Sequence, residues 1–175
     1  MKIDKKYKLE SACSIDPDRA MIMHPWIPSQ EGLRGYAVAT DGRMLAVVPI
    51  ECAETEIGYR VHAKALKEAR KCGGKKTESA WVGLAPNETT APDNSVYALP
   101  PMGGRWLPDV TQVIPDKTRP CVFSISLDAS LLMKLAEALG NVKVRLEFCD
   151  DKSAILVYPS EDNEAFGALM PLRKN

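Results

Sequence analysis

The segment Tyr36–Ile50 constrains the fold of this chain more than any other stretch. It contains two apolar runs rich in small and β-branched residues, Tyr36–Ala39 and Met44–Val48, separated by Thr40-Asp41-Gly42-Arg43. Runs of this length and composition are typical of β-strands. Asp-Gly between two strands favours a tight turn, because glycine adopts positive φ without a Cβ clash. The pattern therefore predicts a β-hairpin and a protein that contains antiparallel sheet.

Two segments have the apolar spacing of short amphipathic helices. The first, Ala63 to Lys71, is followed by Gly73-Gly74, a common signal for a helix C-terminus. The second, Ala129 to Leu139, follows Asp128, a suitable N-cap, and ends at Gly140. Apolar residues at three- and four-residue intervals predict the buried face of the second helix: Leu131, Leu132, Leu135, Ala138 and Leu139.

Short apolar runs between turn residues predict the remaining strands. These runs cover residues 6–15, 20–27, 59–62, 81–85, 95–99, 121–127, 142–148, 154–158 and 165–170, with a loop at 86–94. The order βαβββ then occurs twice, which has the form of an internal duplication. We expect amino-terminal strands and the hairpin in residues 1–57, a first βαβββ unit in 58–115 and a second in 116–175. The alternative is one compact domain.

Composition excludes several classes of protein. Lys+Arg and Asp+Glu number 23 each, so no global charge attracts the chain to nucleic acid or a membrane, and any DNA contact needs a local cluster of cations. No stretch approaches the ~18 consecutive apolar residues of a membrane span. The five cysteines lack Cys-x-x-Cys spacing, which is typical of a reduced, cytoplasmic protein without a disulfide framework or a zinc site: Cys13, Cys52, Cys72, Cys121 and Cys149.

No motif indicates an active site. The chain has two histidines, His24 and His62, and lacks a P-loop, a nucleophile elbow, a dinucleotide fingerprint and a His-x-x-x-His pair. Cys72 lies beside basic residues that lower a thiol pKa, but a lone cysteine at a helix end is usually incidental. We therefore predict a protein that is not an enzyme and uses no cofactor and no metal.

The first helix carries the densest positive charge in the chain. Its cations and those just beyond it are Lys64, Lys67, Arg70, Lys71, Lys75 and Lys76. One interpretation is a surface that faces DNA and contacts its phosphates. The other is a solvated helix face whose cations are placed favourably near the carboxyl end of the helix dipole.

Three segments resemble one family. Val38–Val47 resembles the Ala-Thr-Asp-Gly hairpin of the bacterial sliding clamp, the beta subunit of DNA polymerase III. Arg105–Pro115 is similar to the Phe-Pro-Asp-Tyr…Pro linker of those clamps, and Ala168–Arg173 to their Met-Pro-Met-Arg ending. Three matches in the family's order are more specific than any one of them.

This resemblance implies an α+β, DNA-clamp-like fold: two βαβββ units with helices on one face and antiparallel sheets on the other. It implies a non-catalytic processivity factor in DNA replication or repair that binds double-stranded DNA, polymerase or other clamp-binding proteins, or both, and it is compatible with a homo-oligomer. In the family, partners insert a hydrophobic peptide into a groove, and the matching residues here are Thr40, Gly42, Leu45, Pro108, Val113, Met170, Pro171 and Arg173.

A second function stays open. A bacterial clamp chain has three domains, and this chain has material for little more than one. The alternative is thus a stand-alone peptide-binding or decoy module, of phage or mobile-element origin, that does not encircle DNA. The mass of the protein in solution separates a closed ring from a monomer.

Overall fold

The structure, a computed structural model, describes residues 1–72, 77–101, 107–114, 124–140, 143–150, 153–160 and 165–172. It divides the chain into two units, Met1–Ile114 and Pro115–Asn175, which are described in turn.

The hairpin supplies the centre of the main sheet in the first unit. Strands β1 (Lys2–Asp4), β2 (Tyr36–Thr40), β3 (Leu45–Glu51) and β4 (Ser79–Trp81) form an antiparallel sheet in the order β2-β3-β1-β4. Thr40 pairs with Leu45, so the turn occupies residues 41–44. The prediction of a hairpin at Asp-Gly is confirmed in type and position.

A second antiparallel sheet follows in the same unit. It contains β5 (Gly83–Ala85), β6 (Glu88–Thr90) and β7 (Val96–Ala98) in chain order. The expected loop at 86–94 was wrong, because β6 lies inside it. Its Glu-Thr-Thr sequence has no apolar alternation, yet Thr89 is fully buried and its hydroxyl accepts a hydrogen bond from the His62 N–H.

Helix α1 spans Ala63–Lys71, as its spacing predicts. Ala65, Leu66 and Ala69 form its buried face and pack into the core of the first unit. A fully buried leucine such as Leu66 contributes about 1.5–3 kcal/mol relative to an exposed one. The helix ends at Cys72, whose N–H still donates to the Glu68 carbonyl.

The strands expected at 6–15 and 20–27 were wrong. These segments instead contain short 3-10 helices, Leu9–Ala12 and Pro17–Ile22, and further 3-10 turns occur at Glu31–Leu33, Glu54–Glu56 and Val110–Gln112. At the start of the 3-10 helix Pro17–Ile22, the Asp16 side chain accepts a hydrogen bond from the Asp18 N–H, and proline occupies the first helical position. Both features favour a helix start. Only Trp26, which is buried, keeps strand-like pairing, through isolated antiparallel bridges to Val38 and Arg60.

The second unit contains α2 (Ala129–Ala138) and an antiparallel sheet of β8 (Val144–Glu147), β9 (Ile155–Pro159) and β10 (Gly167–Leu169). The sheet order is β10-β9-β8. Asp128 caps the helix as expected and accepts from the Ser130 N–H at 2.8 Å. The strand expected at 121–127 has no regular structure over Ser124–Leu127, and residues 121–123 lie outside the described part.

The expected buried face of α2 was only partly right. Ala136 is its buried residue, Leu132, Leu135 and Leu139 are half-buried, and Leu131 and Ala138 are exposed. Among the described elements of this unit, α2 packs against β10. The contact itself is close, because a Cβ at Gly167 would lie 2.6 Å from Leu135 Cδ1.

The fold class is confirmed as α+β with antiparallel sheets and few helices. Placement of the two helices on one face involves both units and stays a prediction. Among the described helices, none has the length and hydrophobicity needed to cross a bilayer.

Candidate functional site

The hairpin tip is held by its own side chains. Thr40 Oγ1 donates to the Met44 carbonyl at 2.5 Å and accepts from the Gly42 N–H at 3.0 Å. Asp41 Oδ1 accepts from the N–H groups of Arg43 and Met44 at 2.8 and 2.9 Å. These backbone donors hold the pKa of Asp41 below its ordinary value. Thr40 and Asp41 therefore have a structural role in the turn.

Arg19 lies across this tip, a contact that no sequence pattern predicted. Its Nη1 donates to the Asp41 carbonyl at 3.0 Å, and a Cβ at Gly42 would lie 2.7 Å from the same nitrogen. Gly42 also has φ +88°, a conformation that favours glycine. The positive φ of the turn therefore favours a glycine at 42, and a side chain there would make the flexible end of Arg19 move. Asp16-Pro17 signals the 3-10 helix that carries Arg19, but not its contact with the hairpin.

Leu45 connects the hairpin to a second predicted motif. It packs on an apolar cluster whose buried residues are Trp26, Leu33, Val38 and Val110, and we call this set the Trp26 cluster. Half-buried residues also pack there: Ile22, Val47, Leu107 and Ile114. The hairpin and the segment Leu107–Ile114, far apart in sequence, therefore meet in the first unit.

Within that segment the buried residue is Val110, whereas the resemblance assigned Val113 to the groove. Val113 is 67% exposed, whereas Val110 is 3% exposed and belongs to the Trp26 cluster. Pro108 is half-buried. Asp109 caps the 3-10 turn by accepting from the Thr111 N–H at 3.0 Å and hydroxyl at 2.6 Å, and these bonds hold its pKa below the ordinary value. Val113 is thus a surface residue beside the buried Val110.

The carboxyl-terminal residues of the expected groove belong to the second unit. Met170 is 64% exposed and Pro171 is half-buried. Arg173 lies outside the described residues. Their approach to the hairpin stays a prediction.

The cations of α1 have different environments. Lys64, Lys67 and Lys71 are exposed, and Lys71 pairs with Glu68 at 2.9 Å on the same helix. Arg70 instead binds Glu10, with side chains only 14% and 11% exposed, so it is unsuited to the DNA-facing role that its charge suggested. It belongs to the internal packing of the unit. Lys75 and Lys76 lie outside the described residues.

The rings of the two histidines lie against each other at an angle of 34°, which the sequence did not indicate. Their ring centroids lie 4.7 Å apart, and the His62 ring also stacks on Tyr97 at 5.1 Å. His24 Nδ1 accepts from the Ala63 N–H at 3.2 Å, so it caps the start of α1. Burial, with the charges of His62 and Arg60, lowers the pKa of His24 to about 4. Burial beside Lys64 also lowers the pKa of His62.

Other reactive side chains form no evident centre in the part of the chain that the structure describes. No group of three or more His, Cys, Asp or Glu residues is placed to hold a metal ion there. Cys72 is half-buried, and its carbonyl accepts from Lys5 Nζ. Burial raises the pKa of the Cys13 thiol to about 12, which disfavours its thiolate.

Comparison with known proteins identifies the fold. No protein-family model and no curated protein matches the sequence. Among solved structures, a β sliding clamp of Caulobacter crescentus is 20% identical, with a TM-score of 0.64, and the match covers 98% of this chain and 50% of that chain. The DNA polymerase III beta chain of Streptococcus pneumoniae is 17% identical, with a TM-score of 0.62, covering 99% and 49%. The chain thus spans about half the length of these proteins.

These likenesses agree with the hairpin, the linker-like segment and the antiparallel sheets already described. This chain therefore has the fold of the bacterial sliding clamps over about half their length.

Proposed function

We propose that this chain is a non-catalytic accessory protein of DNA replication or repair whose hairpin surface binds short hydrophobic peptide segments of partner proteins. The observation that carries the proposal is the packing of Leu45 and the segment Leu107–Ile114 on the Trp26 cluster. It supports a pre-formed site, because a buried anchor fixes both segments before a partner arrives. Exposed Met44 and Val113, at 51% and 67%, supply apolar surface beside it.

The expected affinity is modest. A peptide that buries two or three apolar side chains gains about 1.5–3 kcal/mol from each. Association and ordering of the peptide consume much of that gain. We therefore expect a micromolar Kd at best, equivalent to about 8 kcal/mol.

A fluorescent peptide tests the proposal. The probe has leucine and phenylalanine separated by polar residues, and its control has alanine at those positions. The combined changes Met44→Ser and Val113→Ser should weaken probe binding about tenfold, because both side chains are exposed and need not disturb the fold. Val96→Ser is the matched control, since Val96 is 58% exposed on β7 and outside the proposed site. Equal binding of probe and alanine peptide would refute the site.

DNA contact through α1 is a second candidate function. The exposure of Lys64, Lys67 and Lys71 on one short helix favours it. Changing all three to glutamate should abolish duplex binding at low salt, and each lost phosphate contact should flatten the salt dependence by a slope of ~0.9. A triple variant with the same charge change elsewhere, Lys8→Glu, Arg34→Glu and Lys134→Glu, should retain more binding. No binding by the unmodified chain would favour the stand-alone module.

The mass in solution then separates the two forms of the proposal. A chain that spans half of a clamp needs several copies to close around DNA. A monomer that binds the peptide but not DNA is the decoy module. An oligomer that binds both is a clamp-like accessory factor.

A further inference from the structure

We propose that the contacting rings of His24, His62 and Tyr97 form an acid-sensitive clasp that fastens the sheet β5-β6-β7 to α1 and to the amino-terminal segment. We call these three side chains the histidine clasp. The inference goes beyond the proposed function, because it concerns how the first unit opens and not what it binds.

The clasp joins three parts of the first unit. His24 follows the 3-10 helix Pro17–Ile22, His62 immediately precedes α1, and Tyr97 lies on β7. Successive ring centroids are 4.7 and 5.1 Å apart. The His62 N–H also donates to Thr89 of β6 at 2.8 Å. The rings therefore hold the small sheet against the helix start.

The hydrogen bond of His24 requires a neutral ring. Its Nδ1 accepts from the Ala63 N–H, so the single proton of the neutral ring is on Nε2. Protonation of Nδ1 would turn this acceptor into a donor that faces another donor. Acid thus breaks the cap of α1 at the same atom that accepts the proton.

Every charged group that acts on the two rings, within the described residues, opposes a second positive charge. Arg60, 4% exposed, acts on His24, and its guanidinium donates to the Pro100 carbonyl. Lys64 acts on His62 and also lies 5.9 Å from the centre of the Tyr97 ring. His62 itself opposes protonation of His24. Two imidazolium rings with centroids 4.7 Å apart would repel each other and both cations.

The direction of the pH effect follows from these shifts. An unfolded or open His24 has the ordinary pKa of 6.5, whereas the closed one has a pKa of about 4. Between these values the open form binds more protons, so acid favours opening. From pH 7.5 to pH 5, His24 alone should raise the opening equilibrium about 30-fold. Well above pH 6.5 protonation of His24 adds nothing to opening, and its effect grows as the pH falls toward 4.

Two measurements on the full chain test this inference. The chain has two histidines, so an NMR titration of the imidazoles resolves both. We expect His24 to titrate well below 6.5. Amide hydrogen exchange, corrected for the intrinsic rate at each pH, should show opening of β6 and β7 about 30-fold more often at pH 5 than at pH 7.5. The amides of β9 in the second unit are the internal control and should change less.

The variant His62→Phe tests the effect of the His62 charge on His24. His62→Phe keeps an aromatic ring in the stack and removes one titrating group, so the pKa of His24 should rise relative to the unmodified chain. Titration of His24 near 6.5 in the native chain would overturn the proposal. Exchange in β6 and β7 that is independent of pH, or that changes equally in β9, would also overturn it.

Discussion

At the scale of single residues, the hairpin tip depends on the absence of a side chain at Gly42. Gly42 has φ +88° and leaves room for the Arg19 guanidinium, whose Nη1 would lie 2.7 Å from a Cβ. Gly35 has a similar φ of +76° but open space around the position of its Cβ. Substitution at Gly35 would therefore add backbone strain alone, whereas substitution at Gly42 would add the same strain and also displace Arg19.

Substitution of both glycines by alanine makes this separation measurable. Gly35→Ala should lower the free energy of unfolding by about 1 kcal/mol, the cost of a positive φ. Gly42→Ala should cost about 0.5–1.5 kcal/mol more, because Arg19 must also give up its hydrogen bond to the Asp41 carbonyl. Urea denaturation gives both values. In an Arg19→Ala background the difference should disappear, and a difference that persists there would contradict the role of Arg19.

At the scale of secondary-structure elements, the sequence predicted the elements with strong local signals and missed those that depend on tertiary contacts. Helix α1 and the hairpin have apolar periodicity and turn residues, so their positions follow from local signals. Strand β6 has no such signal, since its buried threonine depends on a bond from His62. Leu45 was found by resemblance, whereas Val110 and Arg19 gain their roles from tertiary contacts between distant segments.

Arg70 and Lys67 lie on the same helix, but the Arg70 side chain is largely buried and the Lys67 side chain is exposed. The contact of Arg70 with Glu10 joins α1 to the 3-10 helix Leu9–Ala12 in a largely buried position. Arg70→Met should lower the free energy of unfolding by about 2–4 kcal/mol, because Glu10 keeps its charge and loses its partner. Lys67→Met should cost less than about 0.5 kcal/mol, since its side chain is exposed. Thermal and urea unfolding measure both variants. If Arg70→Met and Lys67→Met lowered the free energy of unfolding by the same amount, the structural role of Arg70 would be refuted.

The contact between α2 and β10 gives a test in the second unit. A Cβ at Gly167 would lie 2.6 Å from Leu135 Cδ1 and 3.0 Å from two further atoms of that side chain. Gly167→Ala should therefore cost about 1–3 kcal/mol through overpacking. Adding Leu135→Ala should relieve the clash, so the double variant should be more stable than the sum of the two single effects predicts. Strict additivity in urea denaturation would argue against this close approach.

At the scale of the whole molecule, the residues that the resemblance assigns to the peptide groove come from both units, and their joint action stays a prediction. The first supplies the hairpin and the segment Leu107–Ile114 on the Trp26 cluster. The second unit contains Met170, which is 64% exposed and lies directly after β10. If they act together, a change in one unit should alter the effect of a change in the other. Measured binding energies then test whether residues of both units contribute to one peptide site.

A double-mutant cycle between Met170 and Met44 measures that coupling. Each single change, Met170→Ala or Met44→Ser, should weaken binding of the hydrophobic probe peptide several-fold and leave the urea midpoint nearly unchanged, because both side chains are exposed. If one bound peptide contacts both, the combined loss should differ from the sum by about 0.5 kcal/mol or more. Leu172→Ala, at a residue 54% exposed near the same end, is the control and should leave binding unchanged. A Met170→Ala variant that binds like the unmodified chain would remove Met170, Pro171 and Arg173 from the site and leave the peptide on the first unit alone.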